Sequence, residues 1–133
     1  VRADEVGLIL HADHPLVSQA VVSFEDLSNE TLILFPRSTN PVMYDEILAC
    51  CQQAGFSPGK IIETAPRSTA IGLVAAGQGV ATIAASLAHT CVQGTVYRPL
   101  RQPGPLIRYS CVISSEVNDY WVSIVEDYVR KTL

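Results

Sequence analysis

The sequence predicts an α/β fold, a mostly parallel sheet flanked by helices. Short apolar runs alternate with stretches of helical periodicity along the chain, which is the rhythm of strand–helix–strand units. The runs TLILF at 31–35 and KIIET at 60–64 are short and apolar on both sides, as parallel strands buried on both faces should be. With 133 residues, 48% of them hydrophobic, the chain suffices for one compact core, or for one complete subdomain and a piece of another.

The elements come in the following order. Residues 6–10 form a short apolar run that reads as a buried strand. It ends at His11-Ala12-Asp13-His14-Pro15, where Pro15 biases His14 away from helix. Residues 23–27 look like one helical turn capped by Ser23. After the strand at 31–35, Asn40 is a good helix cap and Pro41 occupies the first helical position, where its missing N–H costs nothing. Met43, Ile47, Leu48 and Cys51 then recur at helical spacing, and Gly55 ends the helix. The strand at 60–64 leads to a helix at 68–76 that stops at Gly77. Strands are expected at 80–84, 96–100 and 107–114. The last helix starts after Asn118, is expected to bury Trp121, Ile124, Val125, Tyr128 and Val129, and ends on Arg130 and Lys131, which suit the negative pole of the helix dipole. Right-handed crossovers would put the helices on the two faces of the sheet.

Charge and cysteine usage exclude several classes. The balance of 9 basic against 13 acidic residues gives −4, and there is no basic run. Nucleic-acid binding rests on neutralising phosphates, so this segment is not expected to touch DNA, although an absent domain could. No apolar run is long enough to span a bilayer, and the acidic start VRADEVGLIL is not that of a signal peptide. The chain also begins without Met, as if cut from a longer protein. Cys50, Cys51, Cys91 and Cys111 match no zinc spacing and read as small buried thiols of a cytoplasmic protein.

One tetrapeptide repeats. Pro36-Arg37-Ser38-Thr39 recurs as Pro66-Arg67-Ser68-Thr69, each copy following an expected strand and opening an expected helix. In a parallel sheet both copies fall at the carboxyl ends of strands, the edge where ligands bind in open α/β sheets. A helix start offers unpaired N–H groups and partial positive charge. Hydroxyls and guanidinium forks add donors. Two such loops side by side make a cradle for a carboxylate. The competing reading is structural: Ser and Thr are ordinary caps, and a loop Arg is ordinarily solvated. Other candidates are weaker. His11 and His14 fit a turn better than a metal site, because Pro15 and the extended context oppose helical spacing. His89 near Cys91 is no evidence of a thiol–base pair, which needs contact in space. Glu25/Asp26 and Asp45/Glu46 read as solvated carboxylates, and Gly77-Gln78-Gly79 is a helix stop rather than a phosphate loop. Neither a nucleotide fingerprint nor a nucleophile elbow occurs.

The stretch 72–80 (GLVAAGQGV), continuing into Ala84-Ala85-Ser86-Leu87, resembles the effector domains of LysR-type transcriptional regulators. Ala12-Asp13-His14-Pro15-Leu16, Asp26-Leu27 before Leu32-Ile33-Leu34-Phe35-Pro36, Ile47-Leu48 before Ala54-Gly55-Phe56, and Val96-Tyr97-Arg98-Pro99-Leu100 match the same family in the same order. The resemblance covers nearly the whole chain. It implies a periplasmic-binding-protein-like fold, with residues 8–105 as a complete second subdomain. Residues 1–7 and 106–133 would supply the crossing strand, last strand and last helix of the first subdomain, and the winged-helix DNA-binding domain would be absent. It implies an effector in the cleft between subdomains, held by Pro36, Arg37, Ser38 and Thr39, with Arg67, Ser68 and Thr69 alongside and Tyr109 and Ser110 opposite.

The resemblance further implies no enzymatic activity, no cofactor, no membrane contact, and a cytoplasmic homodimer or homotetramer that meets DNA only through the missing domain. Leu34-Phe35-Pro36-Arg37 suggests the branch that senses aromatic catabolites such as muconate or chlorinated aromatics; small carboxylates are otherwise the usual effectors. Binding would shift the populations of subdomain placements by differential affinity. The alternatives are a transporter's solute-binding protein, a small α/β hydrolase or thiol-dependent enzyme, and an interaction module using the last helix as a partner face.

Overall fold

One long strand, β1 (Arg2–His11), organises the sheet. The structure, a computed structural model, describes residues 2–110, 112 and 114–132. The other strands are β2 (Leu32–Leu34), β3 (Ile61–Glu63), β4 (Val80–Ala84), β5 (Thr95–Pro99) and β6 (Leu106–Tyr109). The helices are α1 (Pro41–Gln53), α2 (Arg67–Ala75) and α3 (Asp119–Thr132), with three short 3-10 helices, η1 (Pro15–Ser18), η2 (Phe24–Leu27) and η3 (Ala85–Thr90). None of the described helices is long and apolar enough to cross a membrane.

The strand order is β3-β2-β4-β1-β5, with β6 pairing separately to β1. β2 pairs in parallel with both β3 and β4. β1 runs antiparallel to β4, β5 and β6. The expectation of a mostly parallel sheet therefore holds for strand direction, since β1 alone opposes the others in that order, but the pairing is mixed. Parallel neighbours need a crossover helix, and only the stretch β2-α1-β3-α2-β4 has them. β1 also divides its partners along its length. Residues 2–5 face Tyr109 to Leu106 of β6, while residues 6–11 lie between β4 and β5.

Alternation along the strands sends side chains to two faces. Leu8, Leu10, Leu32, Leu34 and Val80 pack with Met43, Tyr44, Ile47 and Cys51 of α1 and with Phe24 and Leu27 of η2. Ile9, Ile33, Ala81 and Ile83 pack with Ile71 and Val74 of α2. The two helices thus cover opposite faces. The whole of β2 is buried, whereas β3, at the sheet edge, is half-buried to exposed.

Local signals set the helix ends. The Asn40 side chain accepts the Met43 N–H at 3.1 Å, with Pro41 opening α1. Both α1 and α2 end in a glycine with positive φ, Gly55 at 91° and Gly77 at 76°. After each, the reciprocal bonds Gly55 N–H to Gln52 O with Phe56 N–H to Cys51 O, and Gly77 N–H to Val74 O with Gln78 N–H to Leu73 O, close the last carbonyls. Gly79 then lets β4 start against β2, since a Cβ there would lie 2.5 Å from the Thr31 carbonyl oxygen.

Two sequence expectations need correction. The last helix does form, with Asn118 Oδ1 accepting the Trp121 N–H at 3.2 Å. Its apolar stripe is not buried: Tyr120, Trp121, Ile124, Val125 and Tyr128 are exposed and Val129 is half-buried. The periodicity is that of a packed helix, but among the described residues no element packs broadly against it. The strand expected over 107–114 is β6, Leu106–Tyr109; Cys111 and Ile113 lie outside the described residues.

Candidate functional site

Because β2 and β3 are parallel neighbours, the two Pro-Arg-Ser-Thr segments emerge at the same edge of the sheet. They do not fold alike. Residues 36–39 close a turn of their own, with the Thr39 N–H donating to the Pro36 carbonyl at 2.8 Å. The helix starts only after Asn40, so the first copy does not open α1 as expected, because Asn40 and Pro41 are the stronger start signals. Residues 66–69 are themselves the start of α2. Pro66 holds the cap position without a side-chain hydrogen bond, and its carbonyl accepts from Thr69 and Ala70 N–H at 3.1 and 3.2 Å. The Arg67 and Ser68 N–H groups at this helix start have no intrahelical acceptor.

The two arginines differ as well. Arg37 forms a fork on Asp45 of α1, Nε to Oδ1 at 2.9 Å and Nη2 to Oδ2 at 2.7 Å. The pair is exposed, with side chains 58% and 53% accessible. Their bond raises the guanidinium pKa and holds the Asp45 carboxyl below its ordinary value. The neighbouring Tyr44 phenol is pushed up, first by burial and then by the Glu63 carboxylate. Arg67, in contrast, makes no side-chain ion pair among the described residues. It is the charged residue lining a cavity of about 170 Å³ at the carboxyl edge of β2 and β4.

Phe35, Met43 and Ile47 form one apolar wall of this cavity, and Thr82, Ile83 and Ala84 of β4 border it. Leu87 of η3, Val6 of β1 and Ile107 and Tyr109 of β6 complete it. Its volume is on the scale of a single ring, since enclosed dry cavities of about 150 Å³ bind benzene. An apolar cavity with one convergent cation is chemically suited to an aromatic or otherwise apolar anion.

Of the residues picked from sequence, Arg67 and Tyr109 line the cavity. Ser68 joins Arg67, Ile71, Gly72, Thr90 and Val92 in an open groove along α2. Pro36 is half-buried; Arg37, Ser38, Thr39, Thr69 and Ser110 are exposed, and none of these lines the cavity. Sequence reasoning missed the other lining residues, among them Phe35, Met43, Ile47, Leu87 and Ile107, because apolar residues on strands and helices read as core.

The weaker candidates have ordinary surroundings. His11 Nδ1 accepts the Asp13 N–H at 3.0 Å; His14 Nδ1 accepts the Leu16 N–H at 3.1 Å, and its Nε2 lies 2.9 Å from Glu30 Oε1. No group of metal-ligating residues occurs among the described residues. Asp26 accepts from the Ser23 N–H and hydroxyl at 3.0 and 2.9 Å, and Asp45 is the partner of Arg37, so neither is merely a solvated carboxylate. Cys51 is buried and its thiol pushed up to about 11, chiefly by burial, so at neutral pH it is not a thiolate nucleophile.

Comparison with known proteins bears on what this architecture is. The model of the LysR substrate binding domain family matches residues 1–118. The regulator BenM of Acinetobacter baylyi is 30% identical over 129 residues, covering 95% of this chain and 42% of BenM. The regulator TtuA of Agrobacterium vitis is 35% identical over 127 residues, 95% of this chain and 40% of TtuA. The chain thus spans less than half the length of these curated relatives. Among solved structures, the BenM effector binding domain with its effector benzoate superposes with a TM-score of 0.72 at 28% identity, covering 98% of this chain and 62% of that one. Full-length CbnR complexed with its target DNA shares the fold, with a TM-score of 0.77 at 21% identity, over 100% of this chain and 46% of that one. These relatives are named as transcriptional regulators, a non-enzymatic class. The chain, with its mixed sheet flanked by helices, belongs to the LysR family, within the substrate-binding domain.

Proposed function

We propose that the cavity at the β2 and β4 edge takes a small aromatic or apolar carboxylate as its effector. The observation that carries this is Arg67 at the start of α2, the one charged residue lining an otherwise mainly apolar cavity. The carboxylate meets the guanidinium and the free N–H groups of the helix start. The ring lies against Phe35, Met43 and Ile47, and Tyr109 stands at the mouth. Benzoate as the effector of BenM supports this ligand class. Residues 36–39 and Ser68, Thr69 and Ser110 border the site rather than line it.

In this reading residues 8–105 form one subdomain, and residues 1–7 and 106–133 belong to another. Support comes from β1, which changes partners from β6 to β4 and β5 along its length, and from the uncovered apolar stripe of α3. A ligand touching residues from both parts favours one relative placement of them by its differential affinity. In the full-length regulator, a cytoplasmic homodimer or homotetramer, that placement alters how DNA-binding domains outside this chain meet their sites. Calorimetric titration of the full-length protein with benzoate and with succinate tests the ligand class. The expected result is saturable binding of benzoate and weaker binding of succinate. Absence of benzoate binding, or preference for the aliphatic diacid, contradicts it.

A further inference from the structure

We propose that Asp4 is a positioning residue for the effector cavity, fastening η3 to the strand that carries the β6 wall. This inference rests on the reading of that cavity as the effector site. Asp4 is the buried charged residue among the described residues, 8% exposed. A buried carboxylate is costly unless hydrogen bonds satisfy it. Here the donors come from one residue, Ser86. Its N–H lies 3.2 and 3.3 Å from the two Asp4 oxygens, and its hydroxyl donates to Oδ2.

The position of Ser86 gives these bonds their meaning. It lies in the first turn of η3, whose cap residue, Ala84, makes no side-chain bond. The carboxylate that caps this helix comes instead from 82 residues away. A negative charge also suits a helix start electrostatically. Leu87, the next residue of η3, and Ala84, just before it, line the cavity. The Asp4 backbone meanwhile pairs with Ile107 of β6, another lining residue. One residue therefore holds the Leu87 wall with its side chain and the Ile107 wall with its main chain. The spacing between those walls depends on the Asp4–Ser86 bond.

The test uses the full-length regulator and two readouts. Amide hydrogen exchange on the unliganded Asp4→Asn and Asp4→Ala variants is expected to accelerate about tenfold at Ser86 and Leu87, the scale of a lost charge-assisted hydrogen bond. Exchange in β6 and α1 is expected to stay at the wild-type rate, whereas general destabilisation would accelerate all of them together. By calorimetry, benzoate affinity is expected to fall about tenfold in both variants, and Ser86→Ala, which keeps the N–H donor, is expected to lose less. Unchanged exchange at 86–87, or equal acceleration everywhere, overturns the fastening role. Local acceleration with unchanged benzoate affinity overturns the positioning role. If the wild-type protein ignores benzoate, the ligand assignment fails, and the exchange readout still decides whether Asp4 holds η3.

Discussion

The loops at 36–39 and 66–69 share the tetrapeptide Pro-Arg-Ser-Thr and leave adjacent parallel strands at the same sheet edge. In the first, Asn40 caps the helix, Asp45 engages the arginine, and residues 36–39 close a turn upon themselves. In the second, proline stands at the cap, α2 begins at once, and Arg67 lines the cavity without an ion-pair partner among the described residues. Identical residues thus give one arginine engaged by an ion pair and one that lines a cavity. The difference is set by the residues immediately downstream: Asn40, Pro41 and Asp45 after the first copy have no counterpart after the second.

The largest expected effect separates the two arginines. Arg67→Ala should weaken benzoate binding by the full-length protein about ten- to a hundredfold, the scale of a charge-assisted contact. Arg37→Ala should leave it within about twofold, since that side chain is turned to Asp45. Equal losses in calorimetry would erase the distinction. Next, Pro66→Asp should make the second loop resemble the first by capping α2 internally, lowering benzoate affinity about tenfold while fold stability changes by less than about 1 kcal/mol. Unaltered affinity would mean that the helix start takes no part. Asn40→Ala should cost about 1 kcal/mol in urea denaturation through the lost cap of α1, whereas no comparable loss would show that α1 is held by packing alone.

The smallest effect concerns Asp45. Its pKa is lowered in the folded protein, so the pair stabilises the fold fully above the ordinary aspartate value. That contribution disappears as pH falls through the lowered one. Both groups are exposed and solvent screens them, so the effect is small. Asp45→Asn should flatten the acid limb of thermal stability relative to wild type; parallel curves would show that the fork contributes nothing.

How much of the molecule was legible in the sequence depended on range. Caps and stops such as Asn40, Gly55 and Gly77 act within a few residues, so α1 and α2 and the strands between them were readable. The antiparallel setting of β1 was not, since its neighbours come from residues 80–109. The stripe of α3 had the pattern of a buried face, but pattern states which residues want covering, not what covers them. At the cavity, Arg67 was legible from the repeat that follows an expected strand and opens a helix, whereas Tyr109 came only from the family resemblance. The diversion of Arg37 to Asp45, eight residues on, obeys no local rule. The Asp4–Ser86 bond spans 82 residues and left no trace in the sequence.

The most direct measurement compares benzoate with its neutral isostere benzamide by calorimetry on the full-length wild type and its Arg67→Ala and Arg37→Ala variants. Wild type and Arg37→Ala are expected to prefer the charged ligand, and Arg67→Ala is not. A preference that survives in Arg67→Ala, or vanishes in Arg37→Ala, contradicts it.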